Sequence, residues 1–305
     1  MSGKDYIVQK AVAPEKVVKK NRRTIEEMAL THEAQSKNDG CCSVVLLYAR
    51  LDTDSDGNPF PCYTLSRTGE ECQSMQEQRF SMWRDFQPAM EAHGSLVIIA
   101  EAWWPGKDQF AEISGAFRKK SEQRPRLSFV VNDILTYEEF SAGQTDTPYH
   151  VRMDRGRGIQ PSSQAWTWTD RHAPGTYGDP RDLCAQYVDR GGYDGIILRD
   201  PNGGWKRGSG TEGGIIKLKR ELSFDLRVLR VETGVGEKTG RPVYTLVVEF
   251  DGRELGVGSG LPHDFASVPV AGDIVEVVAM DYSSDGLLRE PRYKGVRHDK
   301  LEADR

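Results

Sequence analysis

The chain has no apolar run long enough to cross a membrane, no C-x-x-C pair and no excess of positive charge. The longest apolar stretches, Leu96 to Ala100 and Val44 to Ala49, are strand-sized. Five cysteines is an odd number, and the adjacent Cys41 and Cys42 cannot readily bridge to each other. This excludes a disulfide scaffold and a structural zinc site, and fits a reduced, cytosolic protein. Met1-Ser2-Gly3-Lys4-Asp5 lacks the apolar centre of a secretory signal, so a cytoplasmic location is expected. The net charge of -5 argues mildly against a nucleic-acid binder. It hides three basic patches, however: Lys16, Lys19, Lys20, Arg22 and Arg23; Arg152, Arg155 and Arg157; and Lys206, Arg207, Lys217, Lys219 and Arg220. A solvated face is the plain reading of the first two. The third is less plain, because Lys217 and Lys219 alternate within an apolar strand.

What is present is 305 residues with 37% hydrophobic and 29% charged content, enough for two soluble domains. Helical character is expected over 14–31, 72–92 and Pro180 to Arg190, the last with Asp179 as N-cap and Gly191-Gly192 as C-cap. Strands are expected at 42–50, Pro61–Ser66, Leu96–Trp103, Leu127–Leu135, Gly195–Arg199 and Gly214–Lys219, with Lys37 standing just before the first. Gln109 to Lys120 reads as a helix or an exposed loop. The turn Asp54-Ser55-Asp56-Gly57-Asn58-Pro59 reads as a hairpin; it lacks the closing Glu of a calcium loop. Residues 141–177 show little periodicity. After Glu221 the texture becomes short strands with turns at Glu237-Lys238-Thr239-Gly240 and Asp251-Gly252, consistent with a five-stranded OB barrel. The expected fold is therefore α+β, with one domain over 1–222 and an all-β domain over 223–305.

The chemistry lies in an ordered set: Lys37-Asn38-Asp39-Gly40, Ser66-Arg67-Thr68-Gly69, Glu101, Asp194-Gly195-Ile196-Ile197, Lys217-Leu218-Lys219 and Arg297-His298-Asp299-Lys300. A lone K-x-D-G matches roughly one position in 8,000 by chance. Singly, each member has a bland reading: a surface lysine, a turn arginine, a strand-end carboxylate, a solvated tail. Together they point to chemistry on phosphates. Lysine is a nucleophile only when its ammonium form is disfavoured by burial or nearby cations. Lys217 and Lys219 point the same way from one strand and could supply such cations while neutralising phosphate. A carboxylate beside a triphosphate commonly holds magnesium.

The ordered set resembles the ATP-dependent DNA ligases of the covalent nucleotidyltransferase superfamily, especially the small two-domain ligases of phages and bacteria, and covers most of the chain. The resemblance implies a nucleotidyltransferase (adenylation) domain with mostly antiparallel sheets, followed by an OB-fold domain. It makes Lys37 the adenylated nucleophile, with Asp39, Lys217 and Lys219 catalytic. It implies that Gln35, Ser36, Arg67, Glu101, Asn132, Lys217, Lys219, Arg297 and Lys300 contact ATP, and that Asp194 and Glu101 bind magnesium. In the family Glu101's counterpart touches the ribose, and the terminal R-x-D-K orients pyrophosphate. Ser284-Asp285-Gly286 through Tyr293 looks like the end of a ligase OB domain.

Four positions depart from the family pattern. Cys42 stands where K-x-D-G-x-R has arginine, Gln35 where a glutamate is common, Asn132 where an aromatic stacks on adenine, and Asp194 where a glutamate is usual. Gln35 can donate as well as accept, which would loosen base selection. Phe129 is a candidate to replace the stacking ring.

The implied reaction is lysyl-AMP formation, transfer of AMP to the 5′-phosphate of a nick, and sealing by the 3′-hydroxyl. The expected partner is nicked double-stranded DNA, held by sugar–phosphate contacts, with no membrane association and a monomeric protein in the cytoplasm (the host's, if phage-encoded). A hinge is expected at 220–224. A GTP-dependent mRNA capping guanylyltransferase, an RNA ligase and an inactive nick-binding protein remain alternatives.

Overall fold

The computed structural model describes residues 5–14, 17, 23–53, 59–105, 110–119, 123, 126–209, 214–236, 240–279, 281–283 and 285–304. The calcium-loop-like turn at 54–58, Lys16, Lys19, Lys20 and Arg22 of the first basic patch, residues 210–213 of the Gly-rich loop, the turn at 237–239 and Ser284 lie outside them. The chain divides into two compact units, Met1–Leu218 and Lys219–Arg305. Among the described residues no helix is long and apolar enough to cross a membrane.

The first unit opens with β1 (Gln9–Lys10), α1 (Ile25–Ala29), β2 (Glu33–Asn38), β3 (Cys41–Thr53) and β4 (Pro59–Ser66). Next come α2 (Gln76–Asp85), α3 (Gln87–His93), β5 (Leu96–Trp103), α4 (Phe110–Arg118) and β6 (Ser128–Thr136). They are followed by α5 (Tyr137–Ala142), β7 (Gln144–Thr145), α6 (Tyr149–Asp154), β8 (Trp166–Trp168) and β9 (Arg171–His172). The unit ends with α7 (Pro180–Arg190), β10 (Tyr193–Arg199), β11 (Trp205–Lys206), β12 (Gly208–Ser209) and β13 (Ile215–Lys219). Two main sheets result, one ordered β4-β3-β5-β6-β8 and one ordered β13-β10-β2-β9, beside the two-stranded pairs β1-β12 and β11-β7. Pairing is mostly antiparallel; β6 with β8 is parallel.

Alternation decides which face of each sheet is dry. Val45, Leu47, Leu96 and Ile98 pack on Met82 and Phe86 of the α2–α3 region, while Val44, Leu46, Val97 and Leu135 face the opposite way, toward Val8, Phe140 and Trp205. In the four-stranded sheet Ala34, Ile196, Leu198, Ile216 and Leu218 pack on Met28, Leu183, Cys184 and Tyr187. Each such fully buried aliphatic contributes about 1.5–3 kcal/mol. Residues of the other parity in that sheet, among them Gln35, Lys37, Arg199 and Lys217, face away from this core.

Helix α7 has the expected bounds: the Asp179 side chain accepts from Arg181 N, Pro180 needs no hydrogen-bond partner for its nitrogen, and Gly191 ends the helix at φ 80°. The helix expected over 72–92 is two, meeting at Phe86, because Pro88 has no N–H to continue the ladder. Of the helix expected over 14–31, the clearly described part is α1, which Thr24 and Glu27 close with a reciprocal capping box.

Lys37 precedes β3, as expected, but is itself in a strand. It lies near the end of β2, a strand absent from the sequence-based expectation. Glu33–Asn38 has one apolar side chain, Ala34, and its other face is polar, so no alternation was visible. The aperiodic 141–177 segment contains β7, α6, β8 and β9, four short elements, with Arg152 and Thr169 buried among them.

The second unit comprises β14 (Leu222–Val235), β15 (Pro242–Phe250), β16 (Arg253–Val257), β17 (Ile274–Ala279), β18 (Asp281–Tyr282), β19 (Leu288–Arg289) and β20 (Arg292–Val296). Five of these strands are ordered β16-β15-β14-β17-β20. A parallel bridge between Ser259 and Arg292, with Tyr293 N donating to Ser259 O at 3.0 Å or less (2.9 Å), joins the two edges around a core of Leu226, Val248, Phe250, Val257, Val275 and Val277.

Candidate active site

Lys37-Asn38-Asp39-Gly40 is the crossover from β2 in one sheet to β3 in the other. The turn is pinned to the start of β10: Asp39 N donates to Gly192 O (3.0 Å), and Trp103 Nε1 donates to the same carbonyl (2.8 Å). Gly40 is required by close approach. A Cβ there would lie 2.4 Å from Ala102 O and 2.9 Å from Glu101 Cγ. Gly195 is required for the same reason, with Leu218 O at 2.1 Å from its would-be Cβ and a φ of 139°. The glycines of both motifs thus let neighbouring backbones approach closely, Gly40 beside β5 in one sheet and Gly195 beside β13 in the other.

Gly195 opposes Lys37 across β10 and β2, and Asp194 is the extra residue of a bulge between that pair and Tyr193–Asn38. Its Oδ2 accepts from Lys37 Nζ at 2.5 Å, with the two side chains 13% and 22% exposed. Glu101 stands on β5 directly opposite Cys42 of β3. Burial pushes its carboxyl up, Lys37 pulls it back, Asp194 and Asp39 push it further, and Arg67 opposes them; the balance is about 7. Lys37, Asp39, Arg67, Glu101 and Asp194 therefore share one field. Arg67 sits in the turn after β4, next in register to the Ser66–Ser43 pair and so beside Cys42. Cys42 packs against the Val44–Val97 core, and burial, with Glu101 nearby, drives its thiol far above the ordinary range. A neutral thiol thus occupies the position where the family pattern has a cation.

Lys217 lies on β13, at the edge of the same sheet as Lys37 and on the same face, with β10 between them. Lys219 ends that strand. Ser36 points to the opposite side of β2, where its hydroxyl donates to Asn38 Oδ1 (3.2 Å) and shares a hydrogen with Thr169 (3.1 Å). Its side chain supports the strand rather than facing Lys37. Asn132 is the extra residue of a second bulge, between the Ile99–Asp133 and Ala100–Val131 pairs. Phe129 is fully buried in the core on the other face of the sheet, so it cannot be the replacement stacking ring.

Gln35 is fixed more firmly than its residue type suggests. Its Nε2 donates to Glu33 Oε1 (2.6 Å) and to Tyr149 Oη (2.7 Å), while Tyr149 Oη donates to Asn132 O (3.1 Å). A carboxylate only accepts, so the amide cannot flip. Both N–H groups are used, and Oε1 is left to accept. Gln35 is therefore held with its oxygen as the free acceptor, as a glutamate's would be.

Around Tyr149 lies a cluster that sequence reading missed. Arg152 makes two bonds to Asp133 (2.9 and 2.8 Å), and Arg199 reaches the same carboxylate at 3.2 Å. Arg171 makes two to Glu33 (3.0 and 2.5 Å). Arg152, Arg171 and Arg199 all stand over the Tyr149 ring, Arg199 nearest at 4.4 Å from its centroid. These contacts tie β6 to α6 and β10, and β2 to β9 and α6, and so link the two sheets. Arg152 is accordingly buried, not part of a solvated basic face, and Arg155 and Arg157 are paired with Glu139 and Asp154. The only signal for the cluster was an unusual density of Arg, Asp and Trp in an aperiodic stretch.

In the second unit Arg297 makes two bonds to the buried Asp225 (3.0 and 2.8 Å) and two to Asp299 (2.9 and 2.7 Å). Lys300 reaches Asp225 and Asp304.

No family model and no curated protein matches this chain. Solved structures do. The protein solved as Pmar-Lig_PreS3 superposes with a TM-score of 0.69 at 20% identity, over 96% of this chain and 68% of that one. A Lig E DNA ligase gives 0.66 at 15% identity, over 95% and 98%. The ATP-dependent DNA ligase of bacteriophage T7, solved in complex with ATP, gives 0.55 at 18% identity, over 95% and 98%. The chain has the fold of these DNA ligases.

Proposed function

We propose that this chain is an ATP-dependent DNA ligase that seals 5′-phosphate/3′-hydroxyl nicks in duplex DNA. One observation carries the reading: Lys37, Asp194, Glu101 and Arg67, from four distant parts of the chain, converge in one electrostatic cluster on a ligase-like fold. In the first step neutral Lys37 Nζ attacks the α-phosphorus of ATP; an N–P bond forms and the bond to pyrophosphate breaks. In the second an oxygen of the nick 5′-phosphate takes AMP and frees the lysine. In the third the 3′-hydroxyl attacks that phosphate, forming the phosphodiester and releasing AMP.

While Asp194 holds the Lys37 ammonium, the amine has no lone pair to offer, so the pair must open before attack. Lys217 and Lys219 would stabilise charge on the phosphates, and Arg67 would hold AMP or the nick phosphate. Gln35 Oε1 would accept from the adenine amine, and Asn132 would border the base.

Asp194 and Glu101 are the residues for magnesium. Among the described residues no three acidic, Cys or His side chains form a ready metal cluster. Two carboxylates nonetheless suit this ion, which commonly completes its shell with water and phosphate oxygens. Bound there it would offset charge on the phosphates.

The second unit reads as an OB-fold domain, with the two domains divided near residues 219–222. Leu222, Ser223 and Phe224 are paired in β14 with Ala279, Val278 and Val277, so a hinge is confined to Arg220-Glu221. For Arg297 and Lys300 to contact pyrophosphate they must exchange Asp225 for phosphate. A monomer acting in the cytoplasm completes the proposal.

The test is a duplex carrying one 5′-labelled nick, incubated with the full chain, ATP and magnesium. Joined strand, with DNA-adenylate visible at short times, is expected. Tight nick binding without joining or adenylate would instead favour an inactive binder.

A further inference from the structure

The N-terminal segment is claimed by none of the motifs, yet it is tied across the first unit. Ile7 N donates to Arg67 O (3.0 Å), Gly208 N donates to Val8 O (3.0 Å), and Lys217 N donates to Val12 O (2.9 Å). β1 pairs in parallel with β12, and Val12 bridges Ile216. Val8 is buried in the core on the cleft side of the five-stranded sheet, and Val12 in the core behind the four-stranded sheet. These anchors make the segment a strap from the Arg67 turn to the Lys217 strand.

Two cations meet on this strap. Lys10 Nζ lies 3.5 Å from the centroid of the Tyr6 ring, and the Arg67 guanidinium carbon lies 4.8 Å from the same centroid. The two charges are therefore within about 8 Å of each other. Neither forms a salt bridge among the described residues, and Arg67 acts on the Glu101 carboxylate only through its field. An aromatic face attracts a cation without neutralising it, so both charges remain available. A single phosphate accepting charge-assisted bonds of about 2.8 Å from two cations spans a comparable distance.

We propose that Lys10 and Arg67 form a phosphate clamp, with Lys10 as a binding residue and Tyr6 as the residue that positions both cations. The ligand is a phosphate group, from a nucleotide triphosphate or from a DNA backbone. Arg67's share rests on the ligase reading; the roles of Lys10 and Tyr6 do not.

The test titrates the full chain with inorganic tripolyphosphate, with ATP, and with nicked duplex at several salt concentrations. The variants are Lys10→Gln, Lys10→Arg, Tyr6→Leu and Tyr6→Phe. Lys10→Gln is expected to weaken phosphate binding about threefold to tenfold, with Lys10→Arg restoring it. Tyr6→Leu should match Lys10→Gln, and Tyr6→Phe, which keeps the ring face, should match the parent. Weakened ATP binding would assign the nucleotide. A salt dependence on nicked duplex shallower by about 0.9 would assign DNA. Unchanged binding of all three ligands by a Lys10→Gln variant that melts like the parent would overturn the clamp. Should Tyr6→Leu fail to fold, the two Lys10 variants decide. If Lys37 takes no AMP while tripolyphosphate still binds in a Lys10-dependent way, the ligase reading fails and the clamp stands.

Discussion

Two polar clusters lie in the first unit, and they are built on opposite plans. Around Tyr149 each carboxylate meets a guanidinium group in a two-point contact, Asp133 with Arg152 and Glu33 with Arg171, and Arg199 adds a single bond to Asp133. Around Lys37 burial pushes Glu101 up to about 7, with Asp194 and Asp39 adding to it against the pull of Lys37 and Arg67. Glu139, beside the first cluster, shows the contrast in one group. Burial pushes it up, but hydrogen bonds from Arg155, Thr147 and the Thr136 amide outweigh burial and bring it down to about 2. Charge paired across the fold holds sheets together; carboxylates that raise one another's proton affinity favour a ligand or ion that brings positive charge.

The contrast predicts that damage to one cluster unfolds the protein while damage to the other silences it. Asp133→Ala leaves Arg152 and Arg199 buried without their carboxylate, and should cost about 3–5 kcal/mol in urea unfolding. Asp194→Asn should slow AMP transfer to Lys37 about a hundredfold or more in single-turnover labelling, with a melting midpoint close to the parent's. Tyr149→Phe lies between the two. It should cost about 1–2 kcal/mol in urea unfolding, and by freeing the Gln35 amide it should lower the preference for ATP over GTP in the same labelling assay.

The smallest effect is on pH. Glu101 binds its proton more tightly folded than unfolded, so the ligand-free protein should lose stability as pH rises from about 4.5 to about 7. Glu101→Gln should flatten that fall in melting curves. Glu139 has the reverse sign. Its contribution is complete above about 4.5 and is lost as pH falls toward 2, a limb that Glu139→Gln should remove.

The sequence made the second cluster's chemistry legible and the first cluster invisible, for a physical reason. Lys37, Gly40, Asp194, Gly195 and Lys217 sit in short strings whose residue types are set by local demands: a backbone contact at each glycine, a charge at each strand end. The apolar strands beside them, such as Leu96–Trp103, alternate or run continuously and were read to the residue. Tyr149 and Arg152 on α6, Asp133 on β6, Arg199 on β10 and Glu33 on β2 come from four separate elements, and only their convergence gives them meaning. The same holds for β2, whose polar face looks like a loop until the second sheet is laid over it. The bulges at Asp194 and Asn132 were likewise unreadable, because a bulge is a relation between two strands rather than a property of one. Tyr6 and Lys10 belong to this class too.

The most direct test of the account is covalent labelling of the full chain with α-labelled ATP and magnesium, beside Lys37→Ala, followed by denaturation and peptide mapping. The account predicts acid-labile AMP on the peptide containing Lys37, and none on a Lys37→Ala protein that melts like the parent. Absence of label from protein shown by mass to carry no bound AMP, or label that survives Lys37→Ala, would contradict it.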